Sequence, residues 1–268
     1  MSGQIIHYKA SQIHYHRYGS GPRVLLCFHG FGESGSHFAF LTNTLGADFT
    51  LYAIDMPLHG QTQWRQGLLL EPQQVWEWLP LMGIADSSPL YLLGYSMGGR
   101  IALHLLTMQP QRIAGIVLVA PDGIYVNPWY WLATQTHWGN QLFRVTMENP
   151  NWFLGLLRFA EKRGLLNKSV TKFVHHYLHD GAVRKALYRR WTTMRRFKPN
   201  KAQVLQTLKH KGQRLQILYG KYDRIITPKY GQRWQAAAPQ HIQITLIDGG
   251  HILLQEKYAA HIAAALNR

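Results

Sequence analysis

The chain has 268 residues, of which 46% are hydrophobic and 16% charged, with one cysteine at position 27. That length and apolar content support one core domain with a sizeable insertion and exclude a chain disordered by composition, while the lone Cys27 excludes an internal disulfide framework and a cysteine-built zinc site. Lys and Arg number 29 against 13 Asp and Glu, a net charge of +16, and 17 of the basic residues fall between positions 122 and 214 against 4 acidic ones, so anionic partners are expected for one segment rather than for the whole surface.

At the amino-terminus His7 and Lys9 interrupt any apolar run, so no signal peptide is expected. No stretch of about 18 uninterrupted apolar residues occurs, so no transmembrane segment is expected and the cytoplasm is the expected compartment. Residues 13–18 alternate apolar and polar, as an antiparallel strand does. The apolar run at 24–28 leads at once into the turn His29-Gly30-Phe31-Gly32. The run at 51–54 ends in Asp55-Met56-Pro57-Leu58-His59-Gly60, and the run at 90–93 enters Gly94-Tyr95-Ser96-Met97-Gly98-Gly99. A helix is expected over 100–109, and a continuous apolar strand over 113–120 is closed by Pro121-Asp122-Gly123. Strands apolar on both faces, separated by helix-length stretches, imply a parallel α/β sheet covered by helices on both sides.

The alternation then stops. Residues 122–211 hold no strand-like run but many aromatic and basic residues at helical spacing. Val183, Leu187, Trp191 and Met194 share one helix face, with arginines and lysines crowding the others. Strand signals resume at 215–219 and 242–247, and a last helix is expected from about residue 252. The expected division is a core domain of residues 1–121 and 212–268, with a helical cap of 122–211 inserted after the sixth core strand. Neither an internal repeat nor a low-complexity linker stands out.

Gly94-Tyr95-Ser96-Met97-Gly98 matches G-x-S-x-G between an apolar strand and a helix. A serine in such a turn takes strained dihedrals and presents its hydroxyl outward, while the following helix brings amides to a developing oxyanion. The expected nucleophile is therefore Ser96. His251, in Asp248-Gly249-Gly250-His251, is the expected base, and Asp223, in the turn after the strand at 215–219, the expected orienting acid. Asp122 is the competing acid, and the amides of Phe31 and Met97 are the expected oxyanion donors. All of these follow carboxyl ends of strands, where open α/β sheets bind ligands.

The four motifs, in the chain order Ser96, Asp223, His251, resemble the α/β-hydrolase superfamily, of the kind with a helical cap between two core strands. The resemblance spans about residues 10–120 and 212–268 and implies a serine hydrolase of carboxylic esters or related acyl compounds that needs no cofactor. Gly94-Tyr95-Ser96-Met97-Gly98-Gly99-Arg100 also resembles the menaquinone-pathway lyase that eliminates pyruvate from an anionic cyclohexene carboxylate. That likeness would give Tyr95, Arg100 and cap arginines roles in binding substrate carboxylates. Asp55-Met56-Pro57-Leu58-His59-Gly60 departs from the Pro-Gly-His-Gly usual there, and Ala120-Pro121-Asp122-Gly123 also differs, so the lyase stands as the alternative. A non-catalytic anion- or lipid-binding protein is the third reading.

The remaining histidines have simpler readings. His175 with His179 has the i, i+4 spacing of a helical metal pair, but no glutamate follows either histidine as in H-E-x-x-H, and no metal is expected. His29 and His59 are expected to hold their loops. Trp129, Tyr130, Trp131, Trp138, Trp152 and Phe153 are expected either to line an acyl pocket or to form the cap's own core. The expected partners are a small acyl or carboxylate substrate and, peripherally, anionic surfaces met by the basic cap. No motif specific to nucleic acid accompanies the charge.

Overall fold

A computed structural model describes residues 3–163, 178 and 180–267. It divides into two compact units: residues 3–67, 71–125 and 196–267 form one, and residues 68–70 with 126–163, 178 and 180–195 the other. Residues 196–211 thus fall with the first unit.

The first unit is built on an eight-stranded sheet in the order β1-β2-β4-β3-β5-β6-β7-β8. The strands are β1 (Gly3–Tyr8), β2 (Ser11–Tyr18), β3 (Arg23–Phe28), β4 (Phe49–Ile54), β5 (Leu90–Tyr95), β6 (Ile113–Val119), β7 (Leu215–Gly220) and β8 (Ile242–Ile247). β1 pairs antiparallel with β2 and β2 with β4, and every other neighbour is parallel. The central strands read as unbroken apolar runs because both of their faces are covered. Leu25, Cys27, Leu51, Ala53, Leu93, Val117 and Val119 point into one buried cluster with Leu41, Leu45, Ile262 and Leu266. That cluster is closed by the short helix α1 (Thr42–Leu45) and the carboxyl-terminal α10 (Ala259–Leu266). The alternate residues, among them Leu26, Phe28 and Leu92, face the side carrying α2 (Pro72–Leu81) and α3 (Met97–Met108), the period of two along each strand dividing them. Also in this unit are α8 (Lys201–Lys211), which packs on α3, and α9 (Pro228–Ala237), which packs on β7 and β8.

Two boundaries differ from the sequence expectation. β1 is an edge strand of mixed polarity, held by full antiparallel pairing with β2 rather than by an apolar run. The final helix begins at Ala259 behind a 3-10 turn at Glu256–Tyr258, not near residue 252. Leu253 and Leu254 are buried there as irregular chain while Ile252 is exposed, so their apolar character serves the core and not a helix face.

The second unit is helical. Among the described residues it contains α4 (Pro128–Gln135), α5 (His137–Glu148), α6 (Asn151–Lys162) and α7 (Gly181–Thr193). Asp180 caps α7, its carboxylate accepting from the amides of Ala182 at 2.7 Å and Val183 at 2.9 Å. Asn127 and Thr136 cap α4 and α5 in the same way. Leu187 is buried at the centre of the apolar face anticipated for α7. Phe143 of α5 meets Tyr188 and Trp191 of α7, and Trp191 also meets Tyr130 of α4. Trp129, Trp131, Trp138 and Trp152 are not part of this core: all four are exposed. No helix among the described residues is long and apolar enough to cross a membrane. His175, His176 and His179 lie outside the described residues.

Candidate active site

The chain runs from β3 to β4 on one side and then back past β3 to β5 on the other. The connections leaving β3 and β5 therefore diverge to opposite faces of the sheet, which opens a crevice at their carboxyl ends. His29-Gly30-Phe31-Gly32 leaves β3 there and the Ser96 turn leaves β5, and the two strands are in register, with Phe28 opposite Gly94.

Ser96 stands between β5 and α3 with φ 49° and ψ −114°, a conformation that side-chain-bearing residues rarely adopt. Three backbone bonds hold it. Its amide donates to the Val119 carbonyl at 3.0 Å, and its own carbonyl accepts from the amides of Gly99 at 2.9 Å and Asp122 at 2.8 Å. Such a sharp turn brings α3 hard against β3. A Cβ on Gly98 would lie 1.9 Å from the Phe28 carbonyl oxygen, so only glycine fits.

Asp223 follows β7 and His251 follows β8. Pairing continues beyond the strand ends: the Lys221 amide donates to Ile247 at 2.9 Å and the Tyr222 amide to Gly249 at 3.0 Å. A Cβ on Gly220 would come within 2.1 Å of the Gly250 carbonyl oxygen. The two loops are thus pressed together with His251 beside Asp223. His251 Nδ1 lies 2.8 Å from Asp223 Oδ2, and His251 Nε2 lies 3.1 Å from Ser96 Oγ. The other carboxylate oxygen of Asp223 accepts from the amides of Ile225 at 2.8 Å and Ile226 at 2.9 Å. Burial alone would raise this carboxyl. The His251 hydrogen bond and the two amides outweigh burial and hold it below its ordinary value. An ionised Asp223 only accepts, so the His251 proton sits on Nδ1, and Nε2 is left to accept from the Ser96 hydroxyl.

Asp122 stands elsewhere in the site. Its carboxylate pairs with the Arg100 guanidinium and accepts from the Gly123 amide at 2.7 Å. That pairing also locates Arg100, which is buried on α3 against Asp122. Tyr95 is buried as well. Its ring lies beside the His251 ring and its hydroxyl donates to the His251 carbonyl at 3.4 Å, so it supports the histidine loop from beneath. Burial pushes the Tyr95 phenol far upward. Both residues are buried with protein partners.

The Phe31 loop is tied at several points. His29 donates from Nδ1 to the Gly30 carbonyl at 2.7 Å and accepts at Nε2 from the Met56 amide at 3.1 Å. His59 donates to the Pro57 carbonyl at 3.0 Å, and its ring contacts those of His29 and Phe31. Asp55, fully buried, accepts from the amides of Gly35 at 2.6 Å and Gln61 at 2.8 Å, and from His14 Nδ1 at 2.8 Å. Met97 is the first residue of α3, where helix geometry offers its amide no intrahelical acceptor.

Sequence reasoning missed Glu33. Its carboxylate accepts from the Gly30 amide at 3.1 Å, bracing the turn that carries Phe31. Burial pushes this carboxyl above its usual value, against the opposing pull of the Gly30 amide, His37 and His251. No sequence pattern marked it, because its hydrogen bond is to a backbone amide and His251, which acts on its charge, is distant in the chain.

Among the described residues, His14, His16 and Asp55 form a group whose possible ligand atoms lie within 4.8 Å of one another. Both Asp55 oxygens already accept backbone amides, so the group reads as a loop anchor. A cleft of about 750 Å³ lined by Arg23, Tyr91, Ile113, Gln213 and Arg214 opens at the amino ends of the strands, the edge opposite Ser96.

A family model described as alpha/beta hydrolase fold matches residues 23–258. The dihydrolipoyllysine-residue acetyltransferase component of the acetoin cleaving system of Cupriavidus necator is 26% identical over 248 residues. That alignment takes in 92% of this chain and 63% of the relative, so the chain spans less than two thirds of that protein's length. The pimeloyl-[acyl-carrier protein] methyl ester esterase of Xylella fastidiosa (strain M12) is 28% identical, with 87% of this chain and 89% of the relative aligned. Among solved structures, a thermophilic esterase from Thermogutta terrifontis with malate bound superposes with a TM-score of 0.68. It covers all of this chain and 97% of its own at 16% identity, a likeness of fold.

Proposed function

The chain belongs to the alpha/beta hydrolase fold family, and from that premise we propose that it is a serine hydrolase that cleaves a carboxylic ester or related acyl substrate. The observation that supports this reading is the hydrogen-bonded line from Ser96 Oγ through His251 to Asp223, with spacings of 3.1 and 2.8 Å.

In the proposed reaction the Ser96 oxygen attacks the acyl carbon while His251 Nε2 takes its proton. Asp223 keeps the other ring proton on Nδ1 and stabilises the imidazolium that forms. The amides of Phe31 and Met97 receive the oxyanion, and the positive end of the α3 dipole adds to their effect. The imidazolium then protonates the leaving oxygen, which departs and leaves Ser96 acylated. Water attacks the acyl-enzyme with His251 again as base, and the serine is regenerated. A carboxylic ester is also the substrate class in the name of the Xylella fastidiosa relative.

The resemblance to the pyruvate-eliminating lyase would give Arg100 a part in binding substrate carboxylates, and its pairing with Asp122 weighs against that part. The test is turnover of p-nitrophenyl esters from acetate to dodecanoate, with stoichiometric fluorophosphonate labelling. Ser96→Ala is expected to lower kcat by at least about a thousandfold and to abolish labelling. Equal turnover in Ser96→Ala, or none on any ester by the intact protein, would remove the proposal.

A further inference from the structure

α5 and α6 each leave one apolar stripe uncovered. Trp138, Leu142 and Val145 on α5, and Trp152, Leu156 and Phe159 on α6, stand at i, i+4 and i+7, which places each trio on a single helix face. All six are exposed, Trp138 at 85% and Trp152 at 46%. The two stripes repeat one short pattern: a tryptophan, a leucine four residues on, an arginine at the sixth and an apolar residue at the seventh. Arg144 and Arg158 therefore flank the two stripes at the same angle, and Lys162 and Arg163 follow at the end of α6, all of them exposed. The pattern spans eight residues, too short to stand out as an internal repeat.

The inward side of α5 is accounted for, whereas no described residue of α6 is buried. Phe143 meets Tyr188 and Trp191, and Thr146 and Met147 are buried. Trp138 is thus a surplus over what α5 gives to the unit's own core, and Trp152 is exposed on a helix with no buried residue. Residues 126–195 also carry 11 Lys and Arg against 3 Asp and Glu. Exposed apolar stripes bordered by cations match the requirements of a headgroup interface. The acyl boundary takes the leucines and phenylalanine, indole rings settle at the headgroup level, and guanidinium groups meet lipid phosphate. A nucleic acid would use the charge but leave the aliphatic side chains in water.

From these observations we infer that α5 and α6 form a docking surface for a phospholipid bilayer containing anionic headgroups. The two helices lie along the interface and do not cross it.

The test uses the full chain and sucrose-loaded vesicles of phosphatidylcholine alone or of phosphatidylcholine with phosphatidylglycerol, at about 0.1 M salt. Sedimentation with the phosphatidylglycerol vesicles is expected, with quenching of tryptophan fluorescence by brominated acyl chains. The pair W138S/W152S is expected to weaken this binding at least about tenfold, and R144Q/R158Q to erase the preference for phosphatidylglycerol. L81S, an exposed apolar residue of α2 in the other unit, should bind as the parent protein does. Circular dichroism spectra that match the parent show that the variants are folded. Four results would each overturn the inference: no vesicle binding by the parent, undiminished binding by W138S/W152S, retention on duplex DNA without vesicle binding, or a dimer in light scattering that W138S/W152S dissolves in place of any lipid effect.

Discussion

Two opposing effects meet at Asp223. Its side chain is removed from water, which raises a carboxyl, yet one imidazole and two amides bind its charged form and the balance falls below the ordinary value. A carboxyl depressed in the folded state adds stability above its unfolded value, and that contribution is lost as pH falls through the folded value. Asp223→Asn should therefore flatten the acid limb of a thermal-stability profile. In the variant, the amide would donate toward His251 Nδ1 and move the ring proton to Nε2, where it faces Ser96 in the wrong sense. We expect kcat on a p-nitrophenyl ester to fall about 10⁴-fold with little change in KM. An activity within tenfold of the parent would remove Asp223 from its proposed role. Glu33 is the reverse case. Its raised value means that ionisation costs folded-state stability, a cost present at neutral pH and absent below the ordinary carboxylate range. Glu33→Gln keeps an acceptor for the Gly30 amide and is expected to raise Tm at pH 7, with the difference vanishing toward pH 4. A Tm difference that is constant across that range would show that the charge is not the cause. Ser96, Asp223 and His251 were all named from sequence because each sits in a short local motif after a strand. Glu33 was not assigned because its bond is to a backbone amide, that of Gly30, which no side-chain pattern marks, and the Arg100–Asp122 pair was not because helix and loop meet only in the fold.

At the scale of elements, the turn between β5 and α3 depends on an unusually close crossing of α3 over β3. Gly98→Ala would drive a Cβ into backbone at Phe28, and neither the strand nor the helix can move without disturbing Ser96. We expect a loss of about 3 kcal/mol in urea unfolding together with loss of activity. A folded and active Gly98→Ala protein would show that the crossing can relax. The central strands were legible because each is apolar on both faces, a pattern that only a doubly covered sheet requires. β1 was not, because an edge strand with one dry face carries almost no apolar signal. The carboxyl-terminal helix was placed seven residues too early for a related reason. Ile252, Leu253 and Leu254 continue its apolar run, yet two of them are buried as irregular chain. Hydrophobicity marks burial, and burial does not require a helix.

For the whole molecule, the concentration of positive charge in one segment was visible in the sequence, and so was the change there from alternating strands to helices. The tryptophans of that segment had two readings, a pocket lining or a local core, and the second does not describe Trp138 or Trp152, which face solvent on α5 and α6. Periodicity identifies which residues share a helix face, but which face the neighbouring helix covers depends on packing. By itself the sequence determined the α/β class, the positions of the central strands and the order of the serine, aspartate and histidine motifs, because these follow from period, turn chemistry and local steric need. Tertiary structure decided between the two acids that the sequence offered, pairing Asp223 with His251 and Asp122 with Arg100, and it alone buried Tyr95 beneath the histidine loop and left two apolar stripes exposed. Each of those outcomes depends on which groups distant in the chain come within hydrogen-bonding or van der Waals reach, and no local pattern encodes that distance.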